Sequence, residues 1–125
     1  MKKKILVVDD ETSITRLLKL NLESSGNYDV REENEGTRAL AAAQEFKPNL
    51  VLLDVMMPDA DGGDVAAAIR EDAQLKDVPI IFLTAAVRKE ELEARGGMIG
   101  GYRYIAKPLN VKGVIEEIER HLAQK

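Results

Sequence analysis

The sequence predicts an α/β fold: a doubly wound, five-stranded parallel sheet with five helices, in one domain over residues 1–125. Three observations carry this. Short unbroken apolar runs recur, at Ile5 to Val8, Leu50 to Leu53 and Ile80 to Leu83. Without alternation, such runs suit strands covered on both faces, as inside a parallel sheet. Stretches of helical spacing separate them, the pattern of right-handed crossovers with helices on both sides. A chain of 125 residues is long enough for one domain with a proper core.

Composition narrows the function. A net charge of -4 and a pI near 5.1 argue against nucleic acid or an anionic membrane as direct partner. There is no cysteine, so neither a disulfide framework nor a thiol nucleophile is available. The start, Met1 to Asp10, is basic, but its apolar stretch Ile5 to Val8 falls short of the roughly 7–15 residues of a secretory h-region. No run approaches the about 20 apolar residues that span a bilayer. The expected location is cytoplasmic.

In chain order, the first strand, Ile5 to Val8, ends in Asp9, Asp10 and Glu11. A helix follows with Ile14, Leu17, Leu18 and Leu22 on one face and Gly26 as its stop. Tyr28 to Glu32 is a short polar strand with only Val30 inward, suited to a sheet edge. Thr37 to Phe46 is an alanine-rich helix carrying Leu40 and Phe46, closed by Lys47-Pro48. The central strand, Leu50 to Leu53, ends in Asp54. Asp64 to Glu71 is a third helix with Val65, Ala68 and Ile69 inward. Pro79 introduces the strand Ile80 to Leu83, which ends in Thr84. Val87 to Arg95 is a charged fourth helix anchored by Leu92. Gly96, Gly97, Gly100 and Gly101 turn the chain into a fifth strand, Tyr102 to Ala106, which ends at Lys107-Pro108. Val111, Val114, Ile115, Ile118 and Leu122 mark the last helix, with Asn110 as N-cap.

In a parallel sheet, strand ends of one sense share one edge, where ligands bind in open α/β folds. Asp9 and Asp10, Asp54, Thr84 and Lys107 are all delivered there. Each has an ordinary explanation alone: N-capping for Asp9-Asp10, a turn for Asp54, a helix cap for Thr84, a strand exit for Lys107. Together they point to one shared site. Three carboxylates at close range repel, more so when buried, and require positive charge. Lys107 supplies one such charge. A divalent cation, Mg²⁺ by its taste for few carboxylates and retained waters, is the natural second.

On these residues the chain resembles a response-regulator receiver domain of two-component signalling over nearly its whole length. The matching features are the acidic pair after the first strand, Asp54 followed by Met56-Met57-Pro58 and Gly62, Thr84-Ala85, and Tyr104-Ile105-Ala106-Lys107-Pro108. The resemblance implies the flavodoxin-like strand order 2-1-3-4-5. It implies that Asp54 accepts a phosphoryl group from a phosphohistidine on a sensor histidine kinase or histidine phosphotransfer protein. Asp9, Asp10, Asp54 and the Met56 backbone carbonyl would hold Mg²⁺ or another divalent cation, partly through water. Thr84 and Lys107 would bind the phosphoryl oxygens. The chemistry agrees, because phosphoryl transfer needs an in-line nucleophile and charge neutralisation more than covalent machinery. Phosphorylation adds charge and acceptor oxygens. In the family, Thr84 moving inward lets the aromatic at Tyr104 rotate, changing the face of the fourth helix, fifth strand and fifth helix that a downstream protein or attached output domain reads. A half-buried strand aromatic is the plainer reading of Tyr104. No independent substrate turnover is expected.

Three departures from the family pattern stand out. Gly63 replaces a bulkier apolar residue, so the third helix is expected to start loosely. The Thr84 to Lys107 interval is one residue longer than the pattern. Met56 and Ala86 occupy positions that tune phosphoryl loss; neither side chain can hydrogen-bond an attacking water, and a long-lived phosphoaspartate is expected.

Other signals point elsewhere and fail. The glycine cluster at residues 96–101 follows a helix and precedes a strand, the wrong order for a phosphate-binding loop. His121 has no metal-ligand companion and reads as solvated. A phosphatase of the haloacid dehalogenase type would need an Asp-x-Asp-x-Thr arrangement, which Asp9-Asp10-Glu11-Thr12 lacks. A flavin domain would place hydroxyls and N–H groups, not acids, after the first strand.

Overall fold

The computed structural model describes residues 2–86, 88–99 and 101–123. Val87, expected in the fourth helix, and Gly100, expected in the glycine turn, lie outside the described residues. The strands are β1 Lys3–Val8, β2 Tyr28–Glu33, β3 Leu50–Asp54, β4 Ile80–Thr84, β5 Met98–Ile99 and β6 Tyr102–Ala106. The helices are α1 Thr12–Ser24, α2 Ala39–Phe46, α3 Gly62–Glu71, α4 Lys89–Ala94 and α5 Val111–Ala123. One sheet has the order β2-β1-β3-β4-β6-β5.

The five expected strands are present, parallel and in the order implied by the resemblance, with β6 as the fifth. The sheet nevertheless has six strands. β5 pairs antiparallel with β6 through Met98↔Arg103 and Ile99↔Tyr102. The reason lies in the glycine run: Gly96, Gly97 and Gly101 adopt positive φ, so the chain reverses on itself before β6 begins. Met98 and Ile99, read as turn, become strand.

The continuous apolar strands are buried on both faces. Leu6, Val8, Val51, Leu53, Ile80 and Phe82 pack against α2 and α3 through Ala39, Ala42, Ala43, Val65, Ala66 and Ile69. Ile5, Val7, Leu50, Leu52, Ile81 and Leu83 pack against α1 and α5 through Leu18, Leu22, Val114 and Ile118. Fully burying a side chain of this kind stabilises by about 1.5–3 kcal/mol. The central strands therefore hold their carboxyl ends on a rigid base.

Several inward residues differ from expectation. Leu17 is 42% exposed, because Thr15, Leu18 and Leu22 fill the buried face of α1. On β2, Tyr28 is buried as well as Val30. In α2, Ala39, Ala42 and Ala43 are buried and Ala41 is exposed, while Leu40 and Phe46 pack only partly against the core. In α3, Ala66 takes the buried place and Ala68 is half-buried. His121 is also half-buried, its Nδ1 3.0 Å from the Glu117 carbonyl.

The expected caps hold. Gly26 closes the turn after α1, its N–H donating to the Glu23 carbonyl at 3.0 Å. Lys47 takes a left-handed conformation after α2. Asn110 Oδ1 accepts from Gly113 N–H at 3.1 Å at the start of α5. Contrary to a loose start for α3, Asp61 Oδ1 accepts from Gly63 N–H at 2.7 Å, a firm N-cap.

Candidate functional site

Register decides what meets at the carboxyl edge. Val8 pairs with Leu53, so the next residues, Asp9 and Asp54, leave their strands side by side. Asp54 pairs with Leu83 and Thr84 with Ala106, which brings Thr84 and Lys107 to the same edge. The backbones of the last two are joined, Lys107 N–H donating to the Thr84 carbonyl at 2.8 Å.

Asp9, Asp10 and Asp54 each bring a carboxylate oxygen within 4.8 Å of the others. Asp9 is fully buried and Asp54 is 5% exposed, whereas Asp10 faces solvent. Lys107 Nζ lies 2.9 Å from Asp9 Oδ2, 3.2 Å from Glu11 Oε1 and 3.4 Å from Asp54 Oδ1. Three carboxylates share one ammonium, so the cluster stays negative.

The electrostatics follow. Burial, then the charge of Asp9, pushes the Asp54 pKa up to about 6, against the opposing pull of Lys107. A hydrogen-bond contact with Asp10 also favours the protonated carboxyl. Burial works to lower the Lys107 pKa, but pairing with Asp9 and the charge of Asp54 outweigh it and hold the lysine above its ordinary value.

The donor set fits a hard divalent cation. Asp9 Oδ2 is buried against the Lys107 ammonium, 2.9 Å away, and takes no other hydrogen bond. A carboxylate oxygen so placed keeps lone-pair capacity for a cation. Two further carboxylates beside it give the all-oxygen, anionic environment that such cations prefer.

Thr84 is buried at the end of β4, and its Oγ1 accepts from Ala86 N–H at 3.0 Å. Tyr104 is half-buried in β6 and packs on Phe82 with ring centroids 5.1 Å apart at 31°. Met56 sits just beyond β3, bridged to Asp61, with its side chain 72% exposed. The loop between them is pinned: Gly62 N–H donates to the Val55 carbonyl at 2.8 Å. A Cβ on Gly62 would strike the Asp54 carbonyl oxygen and come within 2.8 Å of Val55 Cα.

Sequence reasoning missed two participants. Glu11 touches Lys107 directly, and its place in the acidic run Asp9-Asp10-Glu11 was the available signal. Asn34 donates to the Asp9 carbonyl at 2.8 Å, and no local pattern announces it.

A match to the response regulator receiver domain covers residues 5–119. The chain belongs to the response-regulator receiver family. It is 44% identical over 115 residues to the alkaline phosphatase synthesis transcriptional regulatory protein PhoP of Bacillus subtilis, covering 91% of this chain and 46% of that protein. It is 34% identical over 123 residues to the polar-differentiation response regulator DivK of Brucella anthropi, covering 98% of each. Among solved structures it resembles chemotaxis protein CheY4 of Vibrio cholerae, with a TM-score of 0.81 and 31% identity over 96% of this chain and 98% of that one. A CheY-like receiver of Methanospirillum hungatei gives a TM-score of 0.83 at 28% identity, covering 99% of this chain and 96% of that one. The chain spans about half the length of the first curated relatives it matches. Receivers are signalling modules and do not turn over a separate substrate. Among the described residues, no helix is long and apolar enough to cross a membrane.

Proposed function

We propose that residues 1–125 act as a phosphorylation-controlled switch in which Asp54 accepts a phosphoryl group from the phosphohistidine of a sensor histidine kinase or phosphotransfer protein. One observation carries the reading. Asp54, nearly buried at the end of the central strand, has a lysine 3.4 Å from its Oδ1 and two more carboxylates within 4.8 Å. A buried nucleophile beside one cation and one metal-type acid cluster is equipped for phosphoryl transfer and little else.

In this reading Asp9, Asp10, Asp54 and the Met56 carbonyl hold Mg²⁺ or a similar ion, which when bound neutralises charge on the phosphoryl oxygens. Lys107 and the Thr84 hydroxyl take those oxygens. Lys107 is now engaged with carboxylates, and Thr84 Oγ1 accepts from Ala86 N–H, which leaves its hydroxyl hydrogen to donate, so phosphorylation gives both donors a new acceptor. Tyr104, half-buried against Phe82, responds as Thr84 moves, and the face of α4, β6 and α5 changes for a downstream protein or attached output domain. The setting is cytoplasmic, without direct contact to nucleic acid or membrane.

The test is direct. The protein is mixed with Mg²⁺ and acetyl phosphate, and the intact mass is read. One added phosphoryl group that is absent in Asp54→Asn supports the proposal. Labelling that persists in Asp54→Asn, or turnover of many phosphoesters, refutes it.

A further inference from the structure

Asp9 is fixed by more than its place at the end of β1. Its N–H donates to the Glu33 carbonyl at 3.1 Å, and its carbonyl accepts from Asn34 Nδ2 at 2.8 Å. Consecutive residues at the end of β2 thus hold the two peptide groups that flank the Asp9 Cα. Its Oδ1 accepts from Glu11 N–H at 2.9 Å. Only Oδ2 is left without a hydrogen bond beyond its contact with Lys107.

Asn34 is itself directed. Its second amide hydrogen goes to Thr15 Oγ1 at 3.0 Å. Thr15 is fully buried, and its one hydroxyl hydrogen is spoken for by the Thr12 carbonyl at 3.2 Å and Glu32 Oε2 at 3.1 Å. The Thr15 oxygen is therefore an acceptor toward Asn34. A flipped Asn34 amide would set oxygen against oxygen at both Asp9 and Thr15, so its orientation is determined. Glu32 is held in turn by Arg16 Nε at 3.3 Å. The polar chain runs from the surface pair Arg16–Glu32 through Thr15 and Asn34 to Asp9, with every donor facing an acceptor.

We infer that Asn34, oriented by Thr15, is a positioning residue for Asp9. It fixes the peptide leaving Asp9 and so aims Oδ2 into the carboxylate cluster. The inference rests on the reading that this cluster binds a divalent cation. Partners that orient a metal ligand contribute to affinity without touching the metal.

Titration calorimetry of the whole chain with Mg²⁺ tests this, together with melting curves in the absence and presence of Mg²⁺. Asn34→Ala and Thr15→Val should each weaken Mg²⁺ binding by about tenfold, the lower end of what such partners contribute. Thr15→Ser, which keeps the hydroxyl, should restore near wild-type affinity, and it covers the case in which Thr15→Val packs poorly. A residue with a merely structural role lowers both melting curves equally and leaves the Mg²⁺-induced rise intact. A positioning residue shrinks that rise. Unchanged affinity and an unchanged rise in Asn34→Ala overturn the inference. A wild-type chain that fails to bind Mg²⁺ is a different outcome, because it removes the cation reading itself.

Discussion

The Asp59 carboxylate reaches across to Thr37 and takes hydrogen bonds from both its N–H and its hydroxyl, each at 3.0 Å. The adjacent Gly36 N–H donates to the other oxygen at 3.2 Å. The loop after β3 is thereby tied to the 3-10 turn Gly36–Arg38 that leads into α2. Gly36 allows the contact, since a Cβ there would lie 2.7 Å from Ala60 Cβ.

The first prediction follows from this tie. The hydrogen bond from Thr37 N–H, with those from Gly36 and the Thr37 hydroxyl, lowers the Asp59 pKa below its ordinary 3.8. A lowered carboxylate pKa contributes stability that is present above the unfolded pKa and lost as pH falls through the folded one. Asp59→Ala should lower the melting temperature by about 3–6 °C at pH 7. The gap between variant and wild type should close below about pH 3.8. Melting curves from pH 3 to 7 check both.

Asp54 behaves with the opposite sign. Its raised pKa of about 6 means that the folded state holds a proton which the unfolded chain has released. Stability should therefore fall as pH rises from about 4 through 6. Asp54→Asn should be the more stable protein at pH 7–8, by about 1–2 kcal/mol after allowance for solvent screening. The advantage should vanish near pH 4. Denaturant unfolding across this range measures it, and a wild-type chain equally stable at pH 4 and 7 would count against the assignment.

Lys107 is the single ammonium among the described residues that meets Asp9, Asp54 and Glu11 at once. Lys107→Ala leaves these carboxylates facing one another, and the Asp54 pKa should rise further. Mg²⁺ should then raise the melting temperature more in the variant than in wild type, because a cation relieves the added repulsion. Labelling by acetyl phosphate should slow by at least about tenfold as the phosphoryl oxygens lose a partner.

Gly62→Ala tests the loop. The added methyl meets backbone of Asp54 and Val55, which cannot rotate away as a side chain would. Destabilisation of about 2–3 kcal/mol is expected, with slower labelling of Asp54 because its own carbonyl must shift. Denaturant unfolding and intact mass report the two effects.

In the proposed switch, Met56 would bear on the lifetime of the phosphorylated state. Its exposed thioether cannot orient an attacking water, so phosphoryl loss should be slow. Met56→Asn supplies a group that can, and should shorten the phosphoaspartate lifetime by about tenfold. Decay of the labelled mass after removal of acetyl phosphate gives the rates directly.

Strand ends were the legible part of this molecule. A parallel strand buried on both faces reads as an apolar run, and its first polar residue names itself, which is how Asp9, Asp54, Thr84 and Lys107 stood out. What stayed hidden depends on partners far away in sequence. Asn34 matters through Asp9, Asp59 through Thr37, and neither spacing is periodic. Thr15 is a polar residue on a helix yet is fully buried, because its hydroxyl meets Asn34 and Glu32. Leu17 was misplaced for the same reason, since the face of α1 that turns inward is chosen by what it meets. β5 was invisible because two residues among glycines carry no strand period.

That short strand has a consequence for how the protein can associate. β5 pairs with β6 through only two residue pairs, between glycines with φ of 79° and 86°. An edge so brief and so sharply bent is a poor template for a further strand. At the other end of the sheet, β2 alternates Tyr28 and Val30 inward with charged Asp29 outward. Neither border invites another backbone to continue the sheet. A partner that does not extend the sheet reads side chains instead, and contacts made that way can change by point substitution while the sheet that carries the site stays as it is.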